Sequence, residues 1–212
     1  MEQQTVHLYV FDTLADWEPG YAAAGINDPE SQLRPGRYRM QTVGLARAPV
    51  TTTGGVRILP DLALDEVDPK QSAMLILPGG HAWDQGKNRE AVELARRFLE
   101  ARVPVAAICG ATAGLARGGL LDTRPHTSNM KGYLQATGYG GGPFYRDEAA
   151  VTDGDLITAS GTNPVDFAHA IFQRLELYAP EVLEAWRGLF KTGDPRYYEA
   201  LMAASGASGG TA

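Results

Sequence analysis

Val103-Pro104-Val105-Ala106-Ala107-Ile108-Cys109-Gly110-Ala111-Thr112-Ala113-Gly114-Leu115-Ala116 is the stretch that decides the fold. An apolar run rich in β-formers stops at Cys109, the only cysteine of the chain, and small helix-compatible residues follow. The pattern predicts a buried strand, a sharp turn carrying a thiol, and a helix that begins at that thiol. Ala107-Ile108-Cys109-Gly110-Ala111 has the small-x-nucleophile-x-small form of a nucleophile elbow, where small flanks let a tight turn pass close to its neighbours. Backbone dipoles at the helix start are expected to favour the thiolate and lower its pKa. An inert core cysteine is the plainer reading, but such a residue belongs inside an element rather than at a junction.

Working outward, Val6 to Phe11, Tyr38 to Leu45 and Ala73 to Leu77 read as strands, the last one followed by Pro78-Gly79-Gly80. A short hairpin is expected over Pro49 to Ile58 about Gly54-Gly55, and a short acidic turn or helix over Asp61 to Asp68. Helical spacing appears in Glu90 to Arg102, Gly110 to Arg117, Asn129 to Thr137, Pro164 to Leu177 and Pro180 to Phe190. A further helix is expected over Tyr21 to Ala24, with Asp16 as its cap and Pro19 in its first turn. A late hairpin turns at Asp153-Gly154. Strands alternating with helices, the most apolar strands central, imply an α/β three-layer sandwich with a mostly parallel sheet. Residues 5–190 are assigned to one domain and 191–212 to a C-terminal extension, whose Gly/Ala/Ser-rich end from Ala203 to Ala212 is expected to fray.

Composition narrows the function. The chain has 212 residues, 44% hydrophobic, with a net charge of −6, which disfavours a nucleic-acid partner. No apolar run reaches the ~20 residues of a membrane span, and no signal peptide is read at the start. A single cysteine leaves no disulfide framework, so a cytoplasmic setting is expected. His7, His81, His126 and His169 lie far apart without ligand spacing, so neither a metal nor another cofactor is expected. Gly138 to Pro143 is glycine-rich but does not link a strand to a helix, so it is not read as a dinucleotide fingerprint.

Ligands of parallel sheets sit at the carboxyl ends of the strands, which draws Asp16 to Glu18, Gly79 to His81 and Cys109 to Thr112 together. Glu18, beside Trp17, is the acidic partner expected for the thiol: an apolar wall would raise its pKa and let it donate a hydrogen bond to sulfur. Asp16 is an alternative in the same role. The N–H groups of Gly80 and Gly110 make a candidate oxyanion hole. Gly79, Thr112, Asp16 and Asn129 are expected to line the pocket. His126, in a polar loop, and His81, beside Gly80, are candidate bases.

With these residues in place, the chain resembles the PfpI-type intracellular protease/amidase family, which includes the Parkinson-associated deglycase and belongs to the class I glutamine amidotransferase-like superfamily. The resemblance is carried by Val10 to Glu18, Leu75 to Gly80, Ala107 to Ala116, Gly119 to Asp122 and Leu156 to Ala168. It implies a flavodoxin-like sandwich, a homodimer, a reactive Cys109, Glu18 as its acidic partner, and Gly80 and Gly110 as the anion hole. Two positions depart from the family pattern. Gly110 stands where protease-like members carry histidine, and Asn129 falls where many others do, with His126 three residues early. Either His126 or His81 substitutes, or the thiol works with Glu18 alone. Addition of the thiol to a small electrophile is then favoured over proteolysis. Three classes compete: an enzyme acting on a small-molecule carbonyl or amide, a redox or stress sensor, and a chaperone-like dimer.

Overall fold

Strands that are apolar at every position can be buried only on both faces. Met74, Leu75, Ile76 and Leu77 are all fully inaccessible, as are Val105 to Ile108. The computed structural model describes residues 3–205. Its elements run in the order β1 (Gln4–Tyr9), α1 (Gly20–Asn27), β2 (Tyr38–Gly44), β3 (Val50–Thr51), β4 (Arg57–Ile58), β5 (Leu62–Ala63), β6 (Ser72–Leu77), α2 (His81–Asp84), α3 (Arg89–Glu100), β7 (Val105–Ile108), α4 (Gly110–Arg117), α5 (Lys131–Gln135), β8 (Ala150–Asp153), β9 (Leu156–Ala159), α6 (Pro164–Leu175), α7 (Pro180–Thr192) and α8 (Pro195–Ala204).

One seven-stranded sheet has the order β5-β2-β1-β6-β7-β9-β8, and β3 and β4 form a separate hairpin. All neighbours in the large sheet are parallel except the edge pair β8 and β9. The order reverses between β1 and β6, so loops leaving these two adjacent strands diverge and open a crevice at their carboxyl ends. α1 and α6 pack together on one side of the sheet, while α2, α3 and α4 associate on the other. This is the expected α/β sandwich.

Small residues in α4 serve packing. A Cβ at Gly114 would lie 2.4 Å from the Trp83 ring, so the helix accepts a fully buried indole against its surface. Trp83 in turn meets Phe11 edge-on at 5.8 Å, an arrangement worth about 1 kcal/mol beyond the area it buries. α7 is tied to α6 through Asp166, 4% exposed, which accepts from Arg187 at 2.8 Å and also from Lys191.

Several sequence expectations need correction. β1 ends at Tyr9: the Val10 N–H still reaches the Val43 carbonyl at 2.8 Å, and Val10 and Phe11 then lie buried in the core. Asp61 to Asp68 contains the short parallel strand β5 before a single 3₁₀ turn. Pro19 occupies the cap position of α1 rather than its first turn, and Asp16 makes no cap. Ala203 and Ala204 belong to α8, whereas residues 206–212 of the expected frayed end lie outside the described residues. The boundary drawn at residue 190 falls within α7.

Candidate active site

The elbow forms where β7 gives way to α4. The Cys109 N–H still donates to the Ala159 carbonyl at 3.0 Å, extending the ladder with β9. The chain then turns at Cys109 itself, with φ 56° and ψ −122°, a backbone that a residue with a Cβ rarely adopts. Such strain costs about 1–3 kcal/mol and aims the side chain away from both elements. Thr112 locks the turn from below: its hydroxyl donates to the Cys109 carbonyl and meets Ser128 Oγ, each at 2.6 Å. Thr112 is fully buried and faces inward, so it braces the elbow instead of lining the pocket as expected.

Glu18 reaches the sulfur from the loop after β1. Its carboxyl is fully inaccessible; Oε2 accepts the Gly79 N–H, and Oε1 has no nitrogen or oxygen partner. What lies beside the carboxyl is the Cys109 thiol: a Cβ built at Gly161 would fall 2.8 Å from Cys109 Sγ and 3.1 Å from Glu18 Oε1. Backbone closes around this pair. A Cβ at Gly79 would sit 2.7 Å from Cys109 Cβ, and one at Gly161 would sit 2.8 Å from Cys109 Sγ. Only glycine lets the turns after β6 and β9 approach so closely.

Asn129 supplies the last contact. Its Nδ2 donates to Cys109 Sγ at 3.3 Å, and its Oδ1 accepts the Gly161 N–H at 2.9 Å. On the solvent side the Trp17 indole, 56% exposed, donates to the Gly161 carbonyl at 3.4 Å. Across from it the Tyr133 hydroxyl donates to Asp84 at 2.6 Å, joining α5 to α2.

Burial raises the Glu18 pKa to about 7, against the Gly79 N–H and the neighbouring Cys109 thiol, which favour the anion. The direction is the one expected. For the thiol the expectation reverses. Burial and the Glu18 charge push Cys109 up to about 12, although Asn129 and the Gly110 N–H pull the other way. A helix start of a few amides does not outweigh a buried carboxylate in contact. The two values describe one coupled pair, whose single charge rests on the carboxylate until the thiol proton is passed to it.

The other candidates are placed elsewhere. His126 is fully buried; its Nδ1 pairs with the Arg124 carbonyl at 2.8 Å and its Nε2 with the Tyr139 hydroxyl at 3.0 Å. Burial lowers its pKa, and neither nitrogen faces the sulfur. His81 opens α2 and is exposed. Among the described residues no histidine hydrogen-bonds Cys109. Asp16 does not exchange roles with Glu18: its carboxylate takes the Thr52 hydroxyl and the Gly54 N–H of the β3–β4 hairpin. Slight burial opposes the Asp16 charge, but these bonds hold its carboxyl below the ordinary range. Gly80, at φ +152°, starts α2, and its carbonyl accepts from Trp83. No group of three His, Cys, Asp or Glu residues suited to a metal occurs among the described residues. Gly161 had no role in the sequence reading. Its signal was a glycine just after a central strand, the same cue that drew attention to Gly79.

Comparison with known proteins bears on this arrangement. The model of the DJ-1/PfpI family matches residues 4–174. The chain is 39% identical to the uncharacterized protease YoaZ of Bacillus subtilis, over 95% of this chain and 98% of that protein. It is 29% identical to deglycase PfpI of Pyrococcus furiosus, over 62% of this chain and 78% of that one. Among solved structures, a thiJ/pfpI family protein from Bacillus anthracis superposes with a TM-score of 0.88 at 40% identity, covering 96% of this chain and 99% of the other. Drosophila melanogaster DJ-1beta superposes with a TM-score of 0.69 at 25% identity, over 89% and 98%. With most of its length matched by the family and a relative aligned nearly end to end, the chain belongs to the DJ-1/PfpI family.

Proposed function

We propose that this protein is a cysteine-dependent enzyme of the hydrolase or deglycase kind, acting on a small carbonyl, amide or related electrophile through Cys109 with Glu18 as its proton partner. The observation that carries the reading is the buried, under-partnered Glu18 carboxyl set beside the partly exposed thiol. Relatives named protease and deglycase support the class of reaction. In the first step the thiol proton passes to the Glu18 carboxylate as sulfur bonds to the electrophilic carbon. The carbonyl π pair moves to oxygen, which the Gly80 and Gly110 amides would hold, and Glu18 then returns the proton to that oxygen. Peptide hydrolysis is disfavoured because it needs a base to deliver water and protonate the amine, and among the described residues no histidine hydrogen-bonds Cys109.

Turnover of a panel of small aldehydes and chromogenic amides tests the proposal. Cys109→Ala is expected to lower kcat/KM at least ~1000-fold with an unchanged circular dichroism spectrum. Full activity in a folded Cys109→Ala protein rejects the reading. A homodimer in the cytoplasm belongs to the same proposal. Val56 and Leu59 at the β3–β4 hairpin and Leu45 just after β2 stand 56–66% exposed, offering apolar surface for a second copy to cover. Light scattering of the purified protein reads the oligomeric state, and a monomer at micromolar concentration ends that part.

A further inference from the structure

We infer that Asn129 is the group that receives charge on the Cys109 sulfur, a fixed amide donor aimed by Gly161 and not a carrier of protons. The inference rests on the reading of Cys109 as nucleophile and adds how the anion is held.

A carboxamide has a donor end and an acceptor end, and its surroundings decide which faces where. The Gly161 N–H can only donate, so it takes Oδ1 at 2.9 Å, and Nδ2 is left facing Cys109 Sγ at 3.3 Å. The turn that carries Gly161 is itself fixed. Ser160 Oγ and Thr162 Oγ1 meet at 3.0 Å, the Thr162 N–H returns to Ser160 Oγ, and Trp17 holds the Gly161 carbonyl from outside. The same Gly161 stands where any Cβ would press on the sulfur. One residue therefore sets both the orientation of the amide and the wall of the thiol.

An amide does not titrate in the working range of proteins. It donates at every pH and returns no proton. When the thiol proton moves to Glu18, the negative charge leaves the carboxylate and appears on sulfur, and no other proton changes hands. Nδ2–H and the Gly110 N–H then meet the anion, a charge-assisted arrangement stronger than the one they make to a neutral thiol. Other titratable groups nearby are occupied: Tyr133 on α5 is bonded to Asp84 on α2, and Arg117 at the end of α4 donates to the Trp83 carbonyl. The pH profile of the site is thus that of the Cys109–Glu18 pair alone, with no step from Asn129.

Iodoacetamide alkylation of Cys109 as a function of pH, without substrate, tests the inference on the full chain. Asn129→Ala removes the donor. Asn129→Asp keeps an acceptor for the Gly161 N–H but turns an acceptor and a charge toward sulfur. The apparent thiol pKa is expected to rise by about one unit in the alanine variant, a tenfold loss of thiolate at a given pH, and further in the aspartate variant. A wild-type titration in either folded variant overturns the inference. If the aspartate variant does not fold, the alanine variant decides by the same titration. The two readings fail separately: an active Cys109→Ala protein would end the enzyme proposal and leave this titration standing, whereas unchanged titration in the Asn129 variants would end only the donor role.

Discussion

At His126 each ring nitrogen has its partner, the Arg124 carbonyl on one side and the Tyr139 hydroxyl on the other, and the Tyr139 and Tyr145 rings pack edge-on against it. At Glu18 one carboxyl oxygen takes the Gly79 N–H and the other has no hydrogen-bond partner, with the Cys109 thiol beside it. Both groups are fully inaccessible. A matched polar group supports a loop at little net cost, while an under-matched one keeps chemistry in reserve. The difference separates a structural residue from a reactive one more clearly than residue type does. By type, the histidine was the more familiar candidate.

The largest expected effect lies on the reactive side. Glu18→Gln should lower kcat/KM at least ~100-fold, because the proton acceptor is gone. The same change should bring the thiol pKa down, because the carboxylate charge that helps to raise it is gone as well. Turnover and alkylation curves measured side by side would show the two moving in opposite directions; unaltered turnover would break the comparison.

A second measurement sharpens it through stability. Glu18 holds its proton more tightly folded than unfolded, with a pKa raised from 4.5 to about 7. Its contribution is fully present below pH 4.5 and declines as pH climbs through about 7. Urea midpoints of the wild type should fall across that window relative to Glu18→Gln. Parallel curves for the two proteins would show that the carboxyl is not perturbed.

The smallest effect on chemistry belongs to the matched side. His126→Phe should cost about 1–3 kcal/mol of folding free energy by leaving two partly buried partners, the Arg124 carbonyl and the Tyr139 hydroxyl, without their hydrogen bonds. Alkylation of Cys109 in the folded variant should stay within about twofold. A loss of thiol reactivity at unchanged stability would place His126 with the reactive cluster after all.

The sheet was readable in the chain because a strand buried on both faces writes its burial into consecutive residues, as at Ala73 to Leu77 and Val105 to Ile108. Glycines at strand ends marked where loops converge. What the chain did not reveal is what side chains meet across loops. Asp16 and Glu18 lie two residues apart and are both acids, yet one faces a hairpin and the other a thiol. Asn129 is 20 positions from Cys109 and 32 from Gly161, and its amide joins them only after folding. The direction of the thiol pKa was misjudged for the same reason. A helix start is visible locally, whereas burial and a neighbouring carboxylate are properties of the assembled crevice.

The backbone at Cys109 has a consequence for change in this protein. Its φ of 56° suits a residue without a Cβ far better than it suits cysteine. A search for thermostability alone is drawn at that position toward glycine, and so away from the sulfur. Selection for persistence and selection for reactivity pull apart at a single residue.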